Sequence, residues 1–206
     1  MRRRREGLTN RQRRALGWRR RGLFGSWYAD LPRSDTKTDI RRPYANSEWV
    51  TAPIPKSGSS TLYRWCHAHQ MVPGPYNGQF AFAVIRHPID RWVAAMSLFA
   101  DAQPGFTPDD AIYGLRNGII ARDEHSRPQS YWLDDRGFEW DAIVTLPSLN
   151  TLLIELDPDF DPGHFNAAED RHLDFRQDLE GLLVRPDIDR LRDFYARDLG
   201  VFEGRD

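Results

Sequence analysis

Between Trp49 and Ile85 two β-favouring runs flank one helical stretch, and this order restricts the fold more than any other part of the chain. Trp49-Val-Thr-Ala-Pro-Ile54 carries the branched and aromatic residues of a strand. Lys56-Ser-Gly-Ser-Ser60 is small and polar, and Thr61 to about His69 then places Leu62, Trp65 and Cys66 at helical spacing. After a turn marked by Pro73, Gly74, Pro75, Asn77 and Gly78, the run Phe80-Ala-Phe-Ala-Val-Ile85 is continuously apolar, as expected of a strand buried on both faces. Strand, helix and strand in that order make a βαβ unit with a right-handed crossover, whose two strands lie parallel. The expected fold class is α/β, with three layers around a mostly parallel sheet.

The remaining elements extend this unit. Arg86-His-Pro88 ends the second strand and opens a helix with Ile89, Trp92, Val93, Met96 and Ala100 on one face. Thr107-Pro-Asp-Asp110 starts another, with a hydroxyl cap, an early proline and two carboxylates at the positive end of the dipole. Ala142-Ile-Val-Thr-Leu146 is a third strand, Pro147 to Leu156 a helix, Asp157 to Arg171 an acidic loop, and Asp187 to Leu199 a closing helix. A chain of 206 residues suits one domain, placed at 48–206, behind an irregular lead-in at 23–47 and a basic arm at 1–22.

That arm, expected to be disordered or a short basic helix, holds ten Arg and one Glu, a charge of +9. The formal net charge of −1 therefore leaves −10 for the rest, where 19 basic residues face 29 acidic ones. No apolar run approaches the roughly 20 residues of a membrane-spanning helix, and recurring arginines occupy the place where a signal peptide needs an apolar stretch. The single cysteine, Cys66, can form neither an internal disulfide nor a cysteine-based zinc site. A soluble chain in a reducing, cytoplasmic compartment is the expectation.

A strand that delivers Lys-Ser-Gly-Ser-Ser-Thr into a helix has the physics of a P-loop-like phosphate-binding unit. Free backbone N–H groups and the helix dipole face the loop, hydroxyls add donors, and glycine allows close approach. Lysine stands before the glycine here, so the Walker order G-x-x-x-x-G-K-[ST] is absent. Of 29 basic residues only Lys37 and Lys56 are lysines, and a chain so biased toward arginine points to Lys56 as a place that needs a compact ammonium.

Pro55-Lys-Ser-Gly-Ser-Ser-Thr61 resembles the 5′-phosphosulfate loop of sulfotransferases that use 3′-phosphoadenosine 5′-phosphosulfate (PAPS). Ile85-Arg-His-Pro-Ile-Asp-Arg91 is similar to that family's 3′-phosphate motif, R-[HDN]-P-x-[DE]-R-x-x-S. His125-Ser-Arg-Pro-Gln129 has the form of the H-x-x-P-Q loop of the carbohydrate and small bacterial branch, and Tyr195 to Phe202 resembles its Y-x-x-D-x-x-x-F ending. The resemblance covers about residues 48–202. It departs from the pattern at Ala94, which stands where the family has serine; Ser97, three residues on, is the next hydroxyl of that helix.

The resemblance implies transfer of a sulfuryl group from PAPS to a hydroxyl or amine, with a carbohydrate among the candidate acceptors. Lys56 would act on the leaving oxygen, Ser57, Gly58, Ser59, Ser60 and Thr61 would hold the 5′-phosphate, and Arg86 would hold the 3′-phosphate by a forked contact. His125 is the candidate base, with His67, His69 and Glu124 as rivals and His87 as a structural residue of the Arg86 motif. No metal is expected: Pro162 stands where an EF-hand after Asp157, Asp159 and Asp161 needs glycine, and His67 and His69 do not share a helix face. Two alternatives remain: binding of nucleic acid or another polyanion through the arm at 1–22, and a nucleotide kinase. The kinase is disfavoured because the strand at 142–146 ends without a carboxylate.

Overall fold

The computed structural model describes residues 42–134, 137–161 and 173–204. The basic arm at 1–22, the lead-in as far as residue 41 and most of the loop at 157–171 lie outside the described residues.

The βαβ unit forms as its hydrophobic pattern predicts. Strand β2 (Trp49–Ala52) leads into helix α1 (Ser59–Ala68), which returns to strand β4 (Phe80–Ile85). The two strands pair in parallel, with Ala52 opposite Ala83, and β5 (Ala142–Thr145) adds in parallel on the far side of β4. Two further strands, at 44–45 and 72–73, make the sheet mixed rather than mostly parallel as expected, with two of its four strand pairs antiparallel and the order β3-β1-β2-β4-β5. Strand β1 (Tyr44–Ala45), inside the segment expected to be irregular, pairs antiparallel with β2 and with β3 (Val72–Pro73). Proline lacks an N–H to donate, and Pro73 is tolerated because β3 is the outer strand.

Alternation along β4 covers both faces of the sheet. Phe82 and Val84 join Leu62, Trp65, Leu149 and Leu153, which places α1 and helix α5 (Leu149–Leu156) on one side. Ala83 and Ile85 join Ile54, Trp132 and Leu133 on the other, against the short helix α4 (Ser130–Leu133).

A second core lies between helices. Trp92 and Met96 of α2 (Pro88–Ala102) pack with Ala111 and Leu115 of α3 (Pro108–Arg116), Leu179 of α6 (Leu173–Leu182) and Leu191 of α7 (Arg185–Phe194). The start of α3 has the expected cap: Thr107 and Asp110 exchange side-chain and backbone bonds. The closing helix, expected as one piece, is two, because the backbone leaves helical geometry at Tyr195 before α8 (Ala196–Glu203) begins. Among the described residues no helix is long and apolar enough to cross a membrane.

Candidate functional site

Parallel β2 and β4 end side by side, and the segment directly after each strand carries the candidate chemistry. The turn at 55–58 passes through two left-handed residues, Lys56 at φ 65° and Gly58 at φ 76°. For Lys56 that conformation stores strain on the order of 1–2 kcal/mol. Gly58 is required on two grounds, since a Cβ there would lie 2.5 Å from Leu149 Cδ2 and 3.0 Å from Leu146 Cδ1. Gly58→Ala is expected to destabilise the fold by about 2 kcal/mol or more, from the left-handed penalty and the clash together. Urea unfolding checks this, and an unchanged midpoint would refute it.

Helix α1 begins directly after this turn without a side-chain cap, so the first N–H groups, at Ser59, Ser60 and Thr61, face the turn free of intrahelical partners. Ser57 is engaged differently from expectation. Its N–H donates to Ile54 O at 3.1 Å and its hydroxyl to Gln129 Oε1 at 2.9 Å, with the residue fully buried. Its hydroxyl hydrogen thus serves the protein interior rather than a ligand.

Arg86 comes next after β4. Its backbone is gripped by Gln129, whose Oε1 accepts from Arg86 N at 2.8 Å and whose Nε2 donates to Arg86 O at 2.8 Å. Among the described residues neither the Lys56 ammonium nor the Arg86 guanidinium has a hydrogen-bond or ion-pair partner. Burial and the nearby Arg86 charge lower the Lys56 pKa, while burial and Arg176 lower that of Arg86. Arg176, on α6, is a third cation whose field reaches both. Two partly buried, mutually repelling cations at the mouth of a helix N-terminus form a site that an anion would relieve.

The loop bearing His125 is brought to the same place by Arg91. This buried guanidinium donates from Nε to Pro55 O at 2.8 Å, from Nη1 to Arg127 O, and from Nη2 to Glu124 O at 3.4 Å. One side chain thus links the residue before Lys56 to the residue before His125. The far end of the chain holds the loop from behind: Tyr195 donates to Ser126 O at 2.5 Å, and Asp198 accepts from Gln129 N at 2.5 Å and Ser130 N at 2.9 Å. The break between α7 and α8 allows both contacts.

His125 faces Asp123, Nδ1 to Oδ2 at 3.2 Å, with both side chains partly exposed. Burial raises the Asp123 pKa, but the hydrogen bond and charge of His125, with the donors of Ser126, outweigh it and leave the carboxyl below its ordinary value. The rivals are placed elsewhere. His67 is exposed, and His69 packs on Trp49, Trp65 and Phe160 with Asp157 at 3.4 Å; both sit at the end of α1 away from the turn. Ten residues of helix put that end roughly 15 Å off. Glu124 contributes its carbonyl to Arg91, and its side chain is exposed. His87 flanks Asp90 at 3.6 Å and stands edge-on to Phe202, consistent with a structural residue. Ser97 is buried, and its hydroxyl donates to Ala94 O at 3.0 Å within its own helix. Burial pushes the Cys66 thiol up to about 12, so it stays neutral.

Three participants were missed from sequence: Asp123, Arg176 and the bridging role of Gln129. Asp123 had a local signal, since Asp123-Glu-His-Ser126 places a capping carboxylate three residues before a serine. Comparison with protein-family models, with curated proteins and with solved structures finds no match to this chain.

Proposed function

We propose that this chain is a sulfotransferase that moves a sulfuryl group from PAPS to a hydroxyl or amine acceptor. The observation that carries the reading is a pair of cations without partners among the described residues, Lys56 and Arg86, after the ends of adjacent parallel strands, with a helix N-terminus directly following the Lys56 turn. A nucleotide with phosphate at both its 3′ and 5′ positions fits two such cations on separate strand ends, and ligands of α/β sheets bind at the carboxyl ends of the strands.

Bound there, PAPS supplies the transferable group, a bond forming from sulfur to the acceptor oxygen as the bond from sulfur to the 5′-phosphate oxygen breaks and its electron pair leaves with the phosphate. Lys56 donates to that leaving oxygen from a compact ammonium. The N–H groups of Ser59, Ser60 and Thr61 hold the 5′-phosphate, and Arg86 holds the 3′-phosphate by paired N–H donors. His125 accepts the acceptor's proton at Nε2, because Asp123 occupies the Nδ1 side and stabilises the imidazolium that results. Asp123 joins the proposed site beside the residues expected from sequence.

The test is thermal stability with nucleotide. A ligand that binds only the folded chain stabilises it by about 2.7 kcal/mol at one hundred times its dissociation constant. The product 3′-phosphoadenosine 5′-phosphate should raise the melting temperature by several degrees, and adenosine 5′-monophosphate by less. Equal shifts, or none, would remove the nucleotide site. Affinity for nucleic acid with no such shift would favour the arm at 1–22 as the functional part.

A further inference from the structure

The Gln129 side chain touches both halves of the proposed site. Its three hydrogen bonds reach Ser57 Oγ in the turn and the N and O of Arg86, 72 and 43 residues away in sequence, and the residue is 1 % exposed. The amide orientation is forced, since Arg86 N can only donate and Arg86 O can only accept. Both lone-pair positions of Oε1 are then filled, one from the turn and one from the strand end. The backbone beneath is equally constrained. Asp198, 2 % exposed, takes the N–H of Gln129 and of Ser130, so the loop cannot follow the side chain if either half moves.

From this geometry we propose that Gln129 is a positioning residue that sets the span between the Lys56 turn and Arg86, so that one ligand is gripped at both ends. The proposal rests on the nucleotide reading above and deepens it: discrimination for the 3′-phosphate depends on a side chain that does not touch that phosphate. Glutamine suits the task because it offers two acceptor positions and a donor on one rigid plane. Methionine matches its length and offers none of these; asparagine keeps the amide but is one carbon too short to meet Ser57 and Arg86 together.

The experiment measures, by calorimetric titration of the full chain, the dissociation constant for adenosine 5′-monophosphate divided by that for 3′-phosphoadenosine 5′-phosphate. Arg86→Ala calibrates the ratio by removing the 3′ contact. Gln129→Met should lower the ratio about ten-fold, within the range of coupling between residues of one hydrogen-bonded network, while the constant for the monophosphate changes less than about three-fold. Gln129→Asn serves if the methionine variant does not fold, with the same expectation. A folded variant that melts lower but keeps the wild-type ratio overturns the proposal, because Gln129 would then only stabilise. A wild-type chain that binds neither nucleotide overturns the nucleotide reading instead, and the proposal with it.

Discussion

If the proposed activity holds, Lys56→Ala is expected to reduce sulfuryl transfer by about 10² to 10³-fold, the usual cost of removing one donor aimed at charge that develops in the transition state. The melting temperature of the free protein should barely change. Lys56 has no partner to lose among the described residues, and alanine inherits the same left-handed backbone at φ 65°. Lys56→Gly sharpens the test, since glycine removes the left-handed penalty: the variant should be at least as stable as Lys56→Ala and equally inactive. The pairing of lost turnover with undiminished stability is what a strained functional residue predicts. The wild-type kcat/KM for the donor, which reports the free protein, should also fall on the alkaline side earlier than an ordinary lysine would cause, because burial and Arg86 favour the neutral amine. Near wild-type turnover in Lys56→Ala, measured with saturating donor, would dispose of Lys56 as the leaving-group donor.

Much of the fold was legible because hydrophobic period reports directly on burial. The continuous run of β4 and the spacing of Leu62, Trp65 and Cys66 pointed to a βαβ unit that the structure contains. Strands β1 and β3 were not legible: with two residues each they carry no period, and Pro73 argues for a turn unless the strand is known to be at the edge. Helix α6 was hidden because Leu179 is its one buried residue, too little for an apolar face. The break at Tyr195 comes with a tertiary bond to Ser126 that no local pattern encodes.

The site divides the same way. Lys56 and Arg86 could be picked out because each lies where a strand ends, in a recognisable string of small or turn-forming residues. The contacts that bring them together could not, since Gln129, Arg91 and Asp198 act across 36 to 72 residues of chain. Ser57 illustrates the limit, as a serine in an anion loop looks like a ligand donor until its burial against Gln129 is seen.

Arg91→Met is expected to be the most destabilising single change in the site region, because its buried guanidinium is shared by three backbone carbonyls. Arg91 is 1 % exposed, and burial lowers its pKa to about 10 against the raising fields of Tyr195, Asp198 and Asp123, so it remains charged at neutral pH. Methionine would fill the volume beside Trp132 but leave Pro55 O, Glu124 O and Arg127 O without their donor. A buried group left unpaired costs about 1–3 kcal/mol; with Arg127 O buried and the other two carbonyls part-buried, and with the neighbouring loop losing its tie, the total is on the order of 3–5 kcal/mol. In a chain of this size that corresponds to a fall in melting temperature of roughly 10 °C. Arg91→Lys should recover little, since one ammonium cannot span the carbonyls that a planar fork reaches together. The loss should extend to function, because the same side chain joins the residue before Lys56 to the residue before His125. In whatever fraction of Arg91→Met remains folded, affinity for 3′-phosphoadenosine 5′-phosphate should be weakened too. A variant that melts within about 2 °C of wild type would mean that the carbonyls find other donors, and that Arg91 does not hold the turn and the histidine loop together.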